Sequence, residues 1–505
     1  MTENTQAADN NNQTYAAIDL GSNSFHMIVC RISDGELLIE DRLRETVSLG
    51  SGLDKKRNLI PEIQERALAC LEGFGQRLRN IPSENVRSVG TNTLRSAKNS
   101  REFLQKANVA LGHRIEIISG VEEARLIYLG VAQGISTDGE RRLVMDIGGG
   151  STELIIGSGF TPIYMQSLYM GCVTFSQRFF SDGSITAKNF KRAEIAARME
   201  LEPVQSVFLK LGWENAIGAS GSIRSIRSVV REAQWSDEGI TMASLKNLRD
   251  ALIEMGNIDN VDLKGLSAER KPVFLGGVVI LLAAFKALGI ERMQVSDSAL
   301  REGLVQELLG PVQYQQDVRS NAVINLARRY HADETQAQLV KETALECARQ
   351  VAADWKLNLD ETNKWLEWAA QLHEIGLDIS HSQYHKHGAY IAEHVDLAGF
   401  SRQEQQVLAA LIGNHRRKIA KDYLKRLADY RYQPTLYWTI LLRLAVLLHR
   451  SRATDPLPAF TLKSKKKSLQ IHFPDEWLDS HALTRGDLEQ EAGYLAAMDF
   501  TLAYS

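Results

Sequence analysis

The segment Ala17-Ile-Asp-Leu-Gly-Ser-Asn-Ser-Phe-His-Met-Ile-Val29 aligns without gaps on Val144-Met-Asp-Ile-Gly-Gly-Gly-Ser-Thr-Glu-Leu-Ile-Ile156. Asp19 falls on Asp146, Gly21 on Gly148 and Ser24 on Ser151, with apolar runs on both sides. Each copy reads as a strand ending in an aspartate, a tight turn of small residues and a second strand. Two halves of similar design follow, and the fold has to accommodate both.

The length agrees. A chain of 505 residues is about three times the ~150 of an average domain, so two to four domains are expected. With 44% hydrophobic and 24% charged residues the composition is that of an ordinary globular protein, which excludes disorder, collagen or a disulfide scaffold. The net charge is −3, so no global field draws the chain to nucleic acid or an anionic membrane, and any polyanion site must be local. Cys30, Cys70, Cys172 and Cys347 stand far apart with no C-x-x-C, which argues against a zinc knuckle or redox pair and fits a reducing cytoplasm. Residues 1–14 are polar, contain no apolar core and read as a frayed tail rather than a signal peptide. The longest apolar stretch, Val273 to Phe285, has 13 residues, short of the ~18–20 that span a bilayer, and reads as a buried core helix.

From Tyr15 to about Leu309, short β-branched runs alternate with amphipathic stretches, an α/β pattern. Between Asp317 and about Leu427 apolar residues recur at helical spacing, as in Trp365, Ala369 and Leu372, which predicts an all-helical domain. The remainder mixes a helical run, Trp438 to His449, with the strand-like Ser468-Leu-Gln-Ile-His-Phe473, and is expected to form a small α+β appendage. The boundaries expected are a tail at 1–14, domains at 15–136, 137–312 and 313–430, and the appendage at 431–505.

Turns such as Gly21-Ser-Asn-Ser24 and Gly148-Gly-Gly-Ser151 can aim several backbone N–H groups into one concavity, because glycine tolerates the needed dihedrals and leaves no side chain in the way. That nest suits a phosphate held by Ser22, Asn23, Ser24, Gly148, Gly149, Gly150 and Ser151. Asp19 and Asp146, at the strand ends, offer hard oxygen ligands to a hydrated magnesium ion beside the phosphate. One such turn alone would be an ordinary hairpin; a pair with matched Asp, Gly and Ser is not.

The two hairpins resemble the phosphate-binding loops of the actin-like, sugar-kinase-like ATPase superfamily. Four segments narrow the resemblance to the exopolyphosphatase and guanosine pentaphosphate phosphatase family: Asp19-Leu-Gly-Ser-Asn-Ser-Phe-His26, Gly90-Thr-Asn-Thr-Leu-Arg95, Ser119-Gly-Val-Glu-Glu-Ala-Arg125 and Asp146-Ile-Gly-Gly-Gly-Ser-Thr-Glu153. Gly218-Ala-Ser-Gly-Ser222 and Ser296-Asp-Ser-Ala-Leu-Arg-Glu-Gly303 extend it over most of the chain. The implied fold is two ribonuclease-H-like (actin-like ATPase) domains flanking a cleft, followed by an all-α HD-like domain.

Within this frame Glu123 is the expected catalytic residue. Ser119 and Glu122 have capping-box spacing, which accounts for Glu122. Glu123 is left over at the start of a helix, where the family places a general base that takes a proton from the attacking water. Arg95 follows a small-residue turn and presents a planar fork suited to a phosphate. Glu153 is expected to join Asp146 and Asp19 around the metal. Arg125 is read as a partner of Glu122, and Arg301 with Glu302 as a local pair anchoring a helix. Gly218 to Ser222 sits where a kinase of the superfamily would hold adenosine, and no ligand is assigned to it.

The helical domain carries Leu372-His-Glu-Ile-Gly376 and His381, His385, His387, His394 and His415. This resembles the HD-type phosphohydrolases, with His373-Glu374 where their metal site has His-Asp, so a docking role is expected rather than a second metal. Its basic stretch His415, Arg416, Arg417, Lys418 and Lys421 is a candidate track for polyphosphate. The reading is an exopolyphosphatase using magnesium, with guanosine pentaphosphate (pppGpp) as the alternative substrate. An ATP-dependent small-molecule kinase and a non-catalytic polyphosphate binder are the rivals from other classes. A cytoplasmic homodimer is expected from the resemblance, with peripheral membrane association left open and no nucleic-acid partner.

Overall fold

The computed structural model describes residues 13–33, 36–133, 139–309, 318–452 and 457–505. Residues 1–12 of the expected tail and the boundaries at 136/137 and 312/313 lie outside these. The chain divides into two compact units, residues 1–313 and 314–505.

The first unit holds two sheets. One has the order β3-β2-β1-β4-β5, built from β1 (Thr14–Leu20), β2 (Phe25–Ser33), β3 (Glu36–Glu45), β4 (Val86–Gly90) and β5 (Ile115–Ile117). The other has the order β10-β11-β9-β6-β7-β8, from β6 (Arg141–Ile147), β7 (Thr152–Ser158), β8 (Thr161–Leu168), β9 (Asn215–Ala219), β10 (Ile240–Thr241) and β11 (Arg292–Val295). Each opens with an antiparallel meander and continues with parallel strands on the far side of the first strand. Without the edge strand β10, the second sheet repeats the first. The repeated segments are the equivalent hairpins β1–β2 and β6–β7, with Asp19 opposite His26 and Asp146 opposite Glu153.

Helices Pro61–Leu78 and Ser100–Leu111 cover the outer face of the first sheet, each through an apolar stripe such as Ile63, Ala67, Leu71, Phe74 and Leu78. The outer face of the second sheet is covered by Ala187–Leu211 and Lys271–Leu288. Lys271–Leu288 is long and apolar enough to cross a membrane, but it is buried in that core. Between the sheets lie helices Gly120–Gln133 and Leu300–Leu309. They share a core with Ala17, Ile28 and Val89 of one sheet and Val144, Ile155 and Ile217 of the other. Buried from both sides, Gly120–Gln133 is apolar nearly all round after its first turn.

The second unit is a helical bundle with a three-stranded sheet, β12 (Thr461–Lys465), β13 (Ser468–His472) and β14 (Thr501–Tyr504) in the order β12-β13-β14. Helix Asp429–Leu448 runs across the expected cut at 430/431 and contributes Trp438, Leu441 and Leu444 to one core that also takes Leu469 and Leu502. The helical domain and its appendage are therefore one body.

Candidate active site

The two hairpin turns face each other. A Cβ added to Gly149 would lie 2.9 Å from Ser22 Cβ, and one added to Gly150 would lie 2.6 Å from Asn92 Oδ1 and 3.5 Å from Ser22 Oγ. A third glycine, Gly171, backs the second turn, with its own Cβ position 2.3 Å from the Gly149 carbonyl oxygen. None of these three glycines has a positive φ. Of the two reasons expected for glycine, dihedral freedom is not used at these positions and the absence of a side chain is: two loops approach too closely for one.

Four carboxylates converge under the turns. Burial first, then the charges of Glu123, Asp146 and Glu302, push Asp19 up to about 8 against the pull of Arg301. Burial and Glu123 push Asp146 up to about 7, with Arg224 and Arg270 pulling it down. Glu153 is fully buried and held well above the usual carboxylate range by burial, Glu123 and Asp146, while Ser167 Oγ donates to its Oε1 at 2.8 Å. Asp19 Oδ1 and Glu153 Oε2 are buried acceptors with no donor.

Acids only, mutually repelling and with lone pairs to spare, these side chains could serve a hard cation. Among the described residues no three acidic, histidine or cysteine side chains form a ready metal cage. A cation here would complete its shell with water and phosphate oxygens, as magnesium does.

Glu123 sits in the first turn of helix Gly120–Gln133, 8% exposed. Ser119 starts that helix as expected, its Oγ accepting from the Glu122 N–H at 3.1 Å. Arg95, on the short helix Asn92–Ser96 after β4, stands beside Glu123: its Nη1 is 3.4 Å from Glu123 Oε2 and donates to Ile118 O at 2.8 Å. Burial raises the Glu123 pKa and Arg95 opposes the rise.

Several groups at the site were missed by sequence reasoning. Arg301 makes the expected ion pair with Glu302, at 3.9 Å, and also brings its Nη1 within 3.4 Å of His26 Nδ1. The His26 ring is kept neutral, its pKa pushed down to about 2 by burial and by Arg301, Arg44, Arg270 and Arg224. Arg270 lies flat on the Gly218–Ser222 turn, where a Cβ on Gly221 would be 1.8 Å from its Nη2. Arg301 and His26 lie within quoted motifs; Arg44, Arg224 and Arg270 do not, and they meet through tertiary packing that no local spacing reports.

In the second unit the basic stretch is less than expected. His415 is 1% exposed and its Nδ1 bonds the Ile412 carbonyl at 2.6 Å, so it belongs to the core. Arg416 lies over the Tyr384 ring, and Arg417, Lys418 and Lys421 remain at the surface. Glu374 is paired with Arg452.

The sequence pattern of the Ppx/GppA phosphatase family matches residues 28–311, and that of its domain III matches residues 318–492. A guanosine-5'-triphosphate,3'-diphosphate pyrophosphatase of Aeromonas hydrophila is 40% identical over 481 residues, 95% of this chain and 96% of that protein. The chain belongs to the Ppx/GppA phosphatase family. A Vibrio cholerae protein of the same name is also 40% identical, over 95% of each chain. Among solved structures, the Aquifex aeolicus PPX-GPPA enzyme is 28% identical with a TM-score of 0.50, over 58% of this chain and 99% of that one. An exopolyphosphatase from Cytophaga hutchinsonii, 24% identical with a TM-score of 0.54 over 59% of this chain and 98% of that one, shares the fold. As a Ppx/GppA enzyme the chain is a phosphoanhydride hydrolase with the actin-like fold, and the kinase and non-catalytic readings fall away.

Proposed function

We propose that this Ppx/GppA phosphatase removes the terminal 5'-phosphate of guanosine 5'-triphosphate 3'-diphosphate. The observation that carries this is the 40% identity, over 95% of the chain, to two relatives named for that reaction. It reverses the order expected from sequence, in which polyphosphate came first. Arg301, Arg44, Arg270 and Arg224, whose charges act on His26, agree with a substrate carrying a triphosphate at one end and a diphosphate at the other.

The backbone N–H groups of Gly21–Ser24 and of Gly149, Gly150 and Ser151 grip the phosphate to be cleaved, the Gly148 N–H being donated to Ser151 O within the turn, and Arg95 neutralises charge on the phosphate oxygens. Glu123 takes the proton of a water aimed at phosphorus. The new P–O bond forms as the bridging P–O bond breaks, leaving orthophosphate and the guanosine bis-diphosphate. Burial makes Glu123 more basic and Arg95 keeps it ionised. Asp19, Asp146 and Glu153 would hold magnesium, which supplies positive charge beside the phosphate. The active form is a cytoplasmic homodimer in this reading; the described cysteines are all free thiols, in keeping with a reducing compartment.

Polyphosphate stays as the second reading because Gly148-Gly-Gly150 and Ser296-Asp-Ser-Ala-Leu-Arg301 resemble the exopolyphosphatase branch. Initial rates on both substrates separate the two. The expected result is a kcat/KM at least ~10-fold higher on pppGpp, worth about 1.4 kcal/mol of transition-state binding. A preference of that size for long polyphosphate overturns the first reading.

A further inference from the structure

The site is assembled from the ends of separate elements, and one partly buried ion network ties those elements together behind it. Arg125, two residues after Glu123, donates from Nε and Nη2 to Glu122 at 2.8 and 2.7 Å. Both side chains are almost completely buried, 8% and 1% exposed. Arg125 Nη2 also bonds Glu307 on helix Leu300–Leu309. Glu307 in turn lies 3.4 Å from Arg87 Nε on β4, and Arg87 pairs with Glu116 on β5. Beside this network the two helices touch backbone to backbone. A Cβ on Gly130 would be 2.0 Å from Ala299 O, and one on Gly303 would be 1.9 Å from Leu126 O.

Each member belongs to an element that ends at the site. Strand β4 leads into the helix of Arg95, β5 leads into the helix of Glu123, and helix Leu300–Leu309 carries Arg301 at its start. Glu307 is the point where the branches meet. A network of half-buried and buried charges is a poor source of stability, because the desolvation of each ion offsets its Coulomb gain. What it supplies is a single register: four elements cannot slide past one another without unpairing a shielded charge.

We propose that Glu307 is a positioning residue, the hub that fixes Glu123, Arg95 and Arg301 at catalytic spacing without touching substrate. The inference rests on the assignment of Glu123 as the base. An ångström of misplacement can cost on the order of 100-fold in rate, so a loosened hub acts on turnover more than on binding.

The test uses the full chain and four variants: Glu307→Ala, Glu307→Gln, Glu123→Gln and, as a stability control, Glu194→Ala. The control breaks a similarly shielded ion pair to Lys286, 2.7 Å long, on the outer helices of the second sheet. Glu307→Ala is expected to lower kcat about 10-fold while KM for pppGpp stays within about twofold. Glu307→Gln, which keeps an acceptor for Arg125, is expected to recover most of that loss. Glu194→Ala is expected to lower Tm comparably and leave kcat unchanged. If Glu123→Gln is inactive and Glu307→Ala behaves like the control, the hub falls and the base stands. If Glu123→Gln retains full turnover, the base assignment falls and takes this inference with it.

Discussion

Arg95 Nη1 lies 3.4 Å from Glu123 Oε2 while donating to Ile118 O at 2.8 Å, so one guanidinium is anchored to the backbone and faces the base. Burial raises the Glu123 pKa and this contact lowers it. Removing the cation lets the pKa rise further, and the base is then protonated at a higher pH. Arg95→Gln is predicted to move the acidic limb of the kcat/KM profile toward higher pH and to lower kcat by about 100-fold, the scale of a lost transition-state donor. A pH–rate profile of the variant checks both, and an unmoved limb would separate Arg95 from the base.

Glu123 also raises the pKa of Asp19, Asp146 and Glu153 by charge repulsion. Activity and stability are therefore opposed at this residue. Glu123→Gln is predicted to lose ~100- to 10,000-fold in kcat, retain substrate binding and unfold at a higher temperature near pH 8. Calorimetry beside a turnover assay tests it; a lowered Tm would mean the carboxylate is structural.

The acid cluster gives the proposed magnesium site a pH signature. Asp19 at about 8 and Asp146 at about 7 lie far above an unfolded value near 3.8. A carboxyl raised in the folded state contributes stability that is complete below the unfolded pKa and lost as pH rises through the folded one. Without metal, stability is predicted to fall between about pH 4 and 8 from these groups. Magnesium, favouring the ionised forms, is predicted to raise Tm more at pH 8 than at pH 5, and EDTA to remove both the shift and the hydrolysis. Melting curves at the two pH values decide it, an equal shift at both counting against these residues as ligands.

Glycines at the site and away from it are predicted to respond oppositely to alanine. At Gly171 the new Cβ would meet the backbone of Gly149 and Gly150 at 2.3–2.4 Å, so the phosphate loop must move. Gly171→Ala is expected to lower Tm and depress kcat by on the order of 100-fold through misplaced loop donors. Gly73, inside helix Pro61–Leu78, has nothing within 4 Å of its Cβ position. Gly73→Ala is expected to stabilise by about 0.5–1 kcal/mol with full activity. Denaturant midpoints and rates on both variants distinguish close approach from mere flexibility.

What the sequence disclosed follows from how local each signal is. The repeated hairpins, the cap at Ser119 and the core helix after Lys271 depend on neighbours in the chain, and each is found where its pattern lies. His26, Arg224 and Arg270 reach the site from three separate elements, and only the closed fold makes them neighbours. His415 misled because a run of cations looks solvated. Its helix, Arg402–Asn414, is buried along its last two turns, and the histidine follows it inward. The expected cut at 430 follows a change of texture from helix to strand, and that change is not a change of body. Trp438 and Leu502 lie in the same core.

Helix Leu300–Leu309, described above as part of the layer between the sheets, also dictates an order of assembly. Leu304 and Val305 share their core with Ala17 and Ile28, residues from the other end of the unit. While the chain is being synthesised, the first sheet has to wait with one apolar face uncovered until the second sheet and this helix have emerged. Contacts of such long sequence separation slow folding and leave exposed intermediates. Residues 13–309 should consequently melt in one transition, and a chain ending before Leu300 is predicted to bind an apolar dye that the intact protein does not.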